Sequence, residues 1–82
     1  MDIEEFTEKL NHLIDKWCSR KELKPLRRIL NGQASLNGLT DGWGEMLNEL
    51  KSIRVQHSKE LDPEELKIVV ELIHATEKIL GR

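Results

Sequence analysis

Apolar residues recur along the chain at helical spacing, and their phase breaks divide it into helices. Ile3, Phe6, Leu10, Leu13 and Trp17 follow one another at steps of three and four, with Ile14 widening the stripe. At about 100° per residue they share one face, while Glu5, Lys9, His12 and Lys16 fall elsewhere on the wheel. The pattern predicts a first helix over residues 3–20, with Glu5 and Lys9 as a favourable i,i+4 pair.

The phase is lost at "SRKELKP". Pro25 has no amide proton and disfavours helix at Lys24, so it belongs in a first turn. A short second helix carrying Leu23, Leu26, Ile29 and Leu30 is predicted to end at Asn31-Gly32, where glycine can supply a left-handed stop. Residues 33–40 then read as a loop with a turn at Asn37-Gly38, held to the core by Leu36 and Leu39. A third helix is predicted from a cap at Thr40 or Asp41 to about His57. The fourth has the clearest start: Asp62 as cap, Pro63 in the first position, and Glu65 completing a capping box between the staple residues Leu61 and Leu66. It ends near Leu80, before Gly81.

Together these elements predict an all-α fold. It is one domain over residues 1–82, a small antiparallel bundle of three long helices plus one short helix. No internal repeat or linker interrupts it.

Charge follows the helices. Residues 1–15 carry one lysine against five acids, and residues 16–28 carry six cations against one acid. Acidic stretches sit where helices start and basic ones where they end, which complements the helix dipoles. The net charge is −2 over 82 residues. The acidic N-terminus "MDIEEF" lacks the features of a secretion signal, and the single cysteine permits no internal disulfide. A cytoplasmic protein with no membrane association is the expectation.

The segment "GWG" sets Trp43 between two glycines at the start of the third helix. Trp43 falls in phase with Met46, Leu47, Leu50 and Ile53, so it reads as a core tryptophan around which glycine gives a neighbouring backbone clearance. It also reads as a partly exposed anchor for a partner.

Chemistry is sparse. Cys18 sits at the edge of the first helix's apolar face, where a cysteine acts as a small core filler, and His12 is not placed to activate it. Glu71 and His74 have the i,i+3 spacing of a di-metal bundle, but the chain holds no second Glu-x-x-His. His57 reads as a boundary residue at a helix end. No catalytic, metal or cofactor site is expected, and the chain reads as a non-enzyme.

Two surfaces could meet a partner. "RKELKPLRR" places Arg20, Lys21, Lys24, Arg27 and Arg28 around a single acid, a patch suited to an acidic protein or to phosphates. In the fourth helix Leu66, Val69, Val70, Ile73 and Leu80 form one stripe. Ile68, Leu72, Ala75 and Ile79 form a second, centred about 140° away. The second stripe requires a cover: the short second helix, a second copy of the chain, or a foreign helix. The expected function is therefore protein–protein contact, as an adaptor or regulatory module and potentially a homodimer, through Ile68, Leu72, Ala75, Ile79 and Trp43. Two alternatives stand beside it: an immunity- or antitoxin-type inhibitor of a basic partner, and nucleic-acid binding through residues 20–28.

Overall fold

The computed structural model describes residues 2–36 and 42–81. It contains α1 (Ile3–Arg20), α2 (Leu23–Leu36), α3 (Gly42–Gln56) and α4 (Pro63–Ile79), with a one-turn 3-10 segment at Ser58–Glu60. There are no strands among the described residues. The expected all-α bundle is the observed architecture.

Pairings along the helices show how they run. Lys9 of α1 meets Glu71 of α4, Lys16 meets Asp62, and Arg20 meets Glu65. Ascending numbers in α1 thus match broadly descending ones in α4, so the two are antiparallel. The same holds for α2 and α3, where Gly32 lies on Met46 and Arg28 meets Glu49 and Gln56. Both α2 and α4 pack on α1 and α3.

Phe6, Leu10, Leu13 and Trp17 of α1 are buried as their spacing predicts, whereas Ile3 in the first turn is exposed. They meet Leu26 and Ile29 of α2, Met46, Leu47, Leu50 and Ile53 of α3, and Ile68, Val69, Leu72 and Ile73 of α4 in one core. A core of this size removes enough apolar surface from water to hold a domain of 82 residues.

Helix ends follow local chemistry. The Asp2 carboxylate accepts from the Glu5 amide and starts α1. Lys21 ends it in the left-handed region (φ 59°), with the amides of Lys21 and Glu22 returning to the Cys18 and Trp17 carbonyls. The full capping box at Asp62 and Glu65 forms as expected, with Pro63 in the first turn. Pro25 occupies the first turn of α2, and Gly81 takes a positive φ beyond α4.

Three sequence expectations are corrected. First, α2 does not stop at Asn31-Gly32 but continues to Leu36, while remaining the shortest of the four α-helices. Glycine costs a helix interior about 1 kcal/mol relative to alanine. Here its missing side chain lets α3 approach: a Cβ on Gly32 would lie 2.9 Å from the Met46 sulfur and 3.3 Å from its Cα. Tertiary packing outweighs the local stop signal. Second, Cys18 is exposed, because α2 and α4 flank α1 without covering that edge. Third, α4 presents one wide buried face instead of two stripes. Glu65, Ile68, Val69, Leu72, Ile73 and Thr76 are all buried on it. The expected caps at Thr40 or Asp41, the Asn37-Gly38 turn and the anchoring role of Leu39 lie outside the described residues.

Candidate interaction surface on the second helix

On α4, the residues expected to meet a partner separate. Ile68 and Leu72 are core residues packed against α1 and α3, so neither is available to an external molecule in this state. Ala75 is half-buried against the same core, and Ile79, at the last turn, is exposed. The cover for Ile68 and Leu72 comes from α1 and α3, the helices on which α4 packs.

Trp43 is half-buried, and its ring meets Phe6 edge-on, with centroids 5.2 Å apart and planes at 75°. Such an aromatic pair contributes about 0.5–1.5 kcal/mol beyond burial alone. The two flanking glycines differ. A Cβ on Gly42 would collide with the Ser35 carbonyl oxygen and lie 2.9 Å from the Leu36 Cα, so only glycine lets the end of α2 meet the start of α3 here. Around Gly44 a Cβ would meet nothing within 4 Å.

The five basic residues also separate. Arg20 donates to the buried Glu65 carboxylate at 2.7 Å, and another of its nitrogens lies 3.5 Å from Asp62. That carboxylate in turn accepts from the Asp62 amide, tying the end of α1 to the start of α4. Lys16 joins the cluster at 3.3 Å from Asp62 and 3.6 Å from Glu65. The Glu65 amide hydrogen bond holds the Asp62 carboxyl below its usual range; partial loss of water opposes this, and Lys16 and Arg20 reinforce it. For Lys16 partial loss of water favours the neutral amine. The Asp62 hydrogen bond and the charges of Asp62, Glu64 and Glu65 outweigh this and raise the ammonium above its ordinary value. Arg20 therefore holds the bundle together. Lys21 forms the left-handed cap.

Arg28 is fixed as well. Its Nε donates to His57 Nε2 at 3.2 Å and a terminal nitrogen donates to Gln56 at 2.9 Å, with Glu49 3.8 Å away. Because a guanidinium only donates, His57 accepts at Nε2, while its Nδ1 lies 3.5 Å from a Glu60 carboxylate oxygen. Sequence reasoning placed His57 at a helix boundary and missed this pairing across 29 residues. Lys24 and Arg27, by contrast, form no ion pair among the described residues.

Beside these two cations lie Leu23, Leu26 and Leu30, which the sequence pattern groups with Ile29 on the second helix. Leu23 is 66% exposed and Leu30 42% exposed, with Leu26 at their base 9% exposed. At about 100° per residue Leu23 and Leu30 nearly coincide, and both stand roughly 100–120° from the buried Ile29. That angular separation was the signal for an outward ridge, and grouping all four apolar residues together concealed it.

Among the described residues, no three His, Cys, Asp or Glu side chains come together as metal ligands, and no helix is long and apolar enough to cross a membrane. Comparison with protein families, with curated proteins and with solved structures finds no match.

Proposed function

We propose that this chain is a non-enzymatic, cytoplasmic contact module that binds another protein through the outer face of α2. One observation carries the reading: two exposed leucines, Leu23 and Leu30, sit on a basal Leu26 beside two cations, Lys24 and Arg27, that have no ion-pair partner among the described residues. An apolar ridge left in water is costly and marks a surface awaiting a cover. Trp43 has a packing role against Phe6, which leaves α2 as the stronger candidate.

A second reading is favoured by α1. Glu4, Glu8 and Asp15 are exposed on its outer face and unpaired among the described residues, an acidic surface suited to an inhibitor of a basic partner. Nucleic-acid binding through residues 20–28 has less support, since Arg20 and Arg28 are already engaged and no aromatic residue accompanies the others.

The test is photo-crosslinking inside cells that make the protein, with the crosslinker in place of Leu30, Glu8 or Lys67 in turn. A discrete protein adduct from position 30, absent from position 67, supports contact through α2. Adducts from position 8 alone transfer support to the inhibitor reading, and nuclease-sensitive adducts to nucleic acid. No adduct from any position refutes the contact role.

A further inference from the structure

Two shallow cavities adjoin on the outer surface of α2. One, of about 370 Å³, is lined by Leu23, Leu26, Arg27, Leu30 and Asn31. The other, of about 330 Å³, is lined by Lys24, Arg27, Arg28, Asn31 and His57. Arg27 and Asn31 belong to both, so an apolar groove and a cationic one run side by side along one helix.

Their chemistry differs in a way that defines a ligand. The apolar groove has leucines at the i, i+3 and i+7 positions of two helical turns, the spacing that accepts the ridge of a second helix. The cationic groove lies along one flank of it only. Its Arg28 is engaged by His57, Gln56 and Glu49, so the charge open to an anion there is that of Lys24 and Arg27. Lys24 and Arg27 supply charge that no described acid neutralises.

Resting on the contact role proposed above, we infer that the occupant of α2 is an amphipathic helix of another protein. That helix carries leucine-like residues at i, i+3 or i+4, and i+7, with aspartate or glutamate along one flank. The apolar ridge fills the Leu23–Leu26–Leu30 groove, and the carboxylates meet Lys24 and Arg27.

A second copy of the chain fits poorly. A two-fold contact sets a patch against itself and would bring Lys24 and Arg27 of both copies together. Nor does α1, the acidic helix, match as a heterologous occupant: its outer face carries Glu4, Glu8, Asn11 and Asp15 with no apolar ridge between them.

The experiment uses the full chain, labelled with nitrogen-15, titrated with a capped synthetic helix of about 18 residues, long enough for five turns. The probe has leucine at its a and d positions and glutamate on one flank. Amide shifts confined to residues 23–31 and the neighbourhood of His57 are expected. Replacing the probe's glutamates by glutamine, or introducing Arg27→Glu into the protein, should weaken binding about ten-fold, and raised salt should weaken it too. Leu30→Ser should weaken it comparably. Both positions are exposed, and an unchanged circular dichroism spectrum confirms that each variant folds. A lysine-flanked probe should recover binding to the Lys24→Glu, Arg27→Glu double variant.

Absence of shifts at millimolar probe, shifts located elsewhere, or indifference to Arg27→Glu overturns the inference. So does concentration-dependent change without probe, which means self-association. Binding of phosphatidylglycerol vesicles or of a generic oligonucleotide at residues 23–31, where the peptide fails, also overturns it. A position-30 crosslink to a protein with no acidic helix leaves the contact role standing while this identification falls.

Discussion

Substituting alanine for glycine at two positions of the same helix turn should move stability in opposite directions. Gly42 and Gly44 both lie in the first turn of α3, so the intrinsic preference for alanine is similar at each, about 0.5–1 kcal/mol near a helix end. Their surroundings differ completely. At Gly44 the new methyl meets nothing within 4 Å, and Gly44→Ala should gain that full preference. At Gly42 it would strike the Ser35 carbonyl and press to 2.9 Å from the Leu36 Cα. Both obstacles are backbone, so no rotamer change relieves them; the end of α2 must move away from α3. Forcing a methylene-sized group into a packed contact costs about 1–3 kcal/mol. After subtracting the intrinsic gain, Gly42→Ala should lose up to about 2.5 kcal/mol, toward the upper end because both obstacles are backbone.

Urea denaturation followed by circular dichroism separates the two. Midpoints should move up for Gly44→Ala and down for Gly42→Ala with unchanged slopes, a spread well above extrapolation error. In thermal melts, each kcal/mol corresponds to roughly 4–8 °C for a domain this small. A Gly42→Ala protein as stable as the parent would refute the close approach of α2 and α3. A destabilised Gly44→Ala would refute the open space beside α3.

Glu65→Gln keeps the acceptor for the Asp62 amide but removes the charge facing Arg20, and should cost about 1–2 kcal/mol in the same assay, the difference between charged and neutral hydrogen bonds. Because the folded-state value of Asp62 is depressed, its stabilising contribution is present above its unfolded value near 3.8 and is lost as pH falls through the folded one. Lys16 is raised, so its contribution is full below 10.5 and disappears as pH rises beyond that. Melting temperature should accordingly fall in acid, and Asp62→Asn should flatten that acid limb; an identical acid limb in the variant would exclude the assignment. Lys21→Gly relieves a left-handed lysine and should stabilise by about 0.5–1 kcal/mol, as urea midpoints would show.

The long helices α1 and α4 were legible because local and tertiary forces agree in them. The 3-4 spacing of Phe6, Leu10, Leu13 and Trp17 has one buried face to satisfy, and Asp62-Pro63-Glu65 specifies its start within four residues. Gly32 was misread because Asn-Gly is a stop only when nothing external competes, and Met46 competes. The face of α4 was misread for a subtler reason. Its buried residues are centred on Glu65 and Thr76, two polar side chains in the middle of an apolar arc. Viewed as a pattern, polar residues there split one wide face into two stripes. Folded, each has a partner that makes burial tolerable: Glu65 meets Arg20 and the Asp62 amide, and the Thr76 hydroxyl donates to the Leu72 carbonyl.

The same reasoning explains why the contact surface was sought on α4 and lies, in our reading, on α2. An apolar residue announces burial only if its neighbours on the wheel share its fate, and Leu23 and Leu30 border Arg27 instead of Ile29. The basic cluster was equally ambiguous, since five cations in nine residues fit dipole compensation, ion pairing or recognition alike. The structure divides them. Arg20 is committed to Glu65, Arg28 to Gln56 and His57, and Lys21 to a helix cap, which are duties internal to the fold. Lys24 and Arg27 have no such duty among the described residues, and both stand on the same flank of the groove that holds the exposed leucines. An unneutralised cation beside an uncovered leucine serves neither folding nor solubility better than a polar pair would. The combination is economical only if both are satisfied together, by a surface that brings carboxylates and apolar groups at the spacing of a helix.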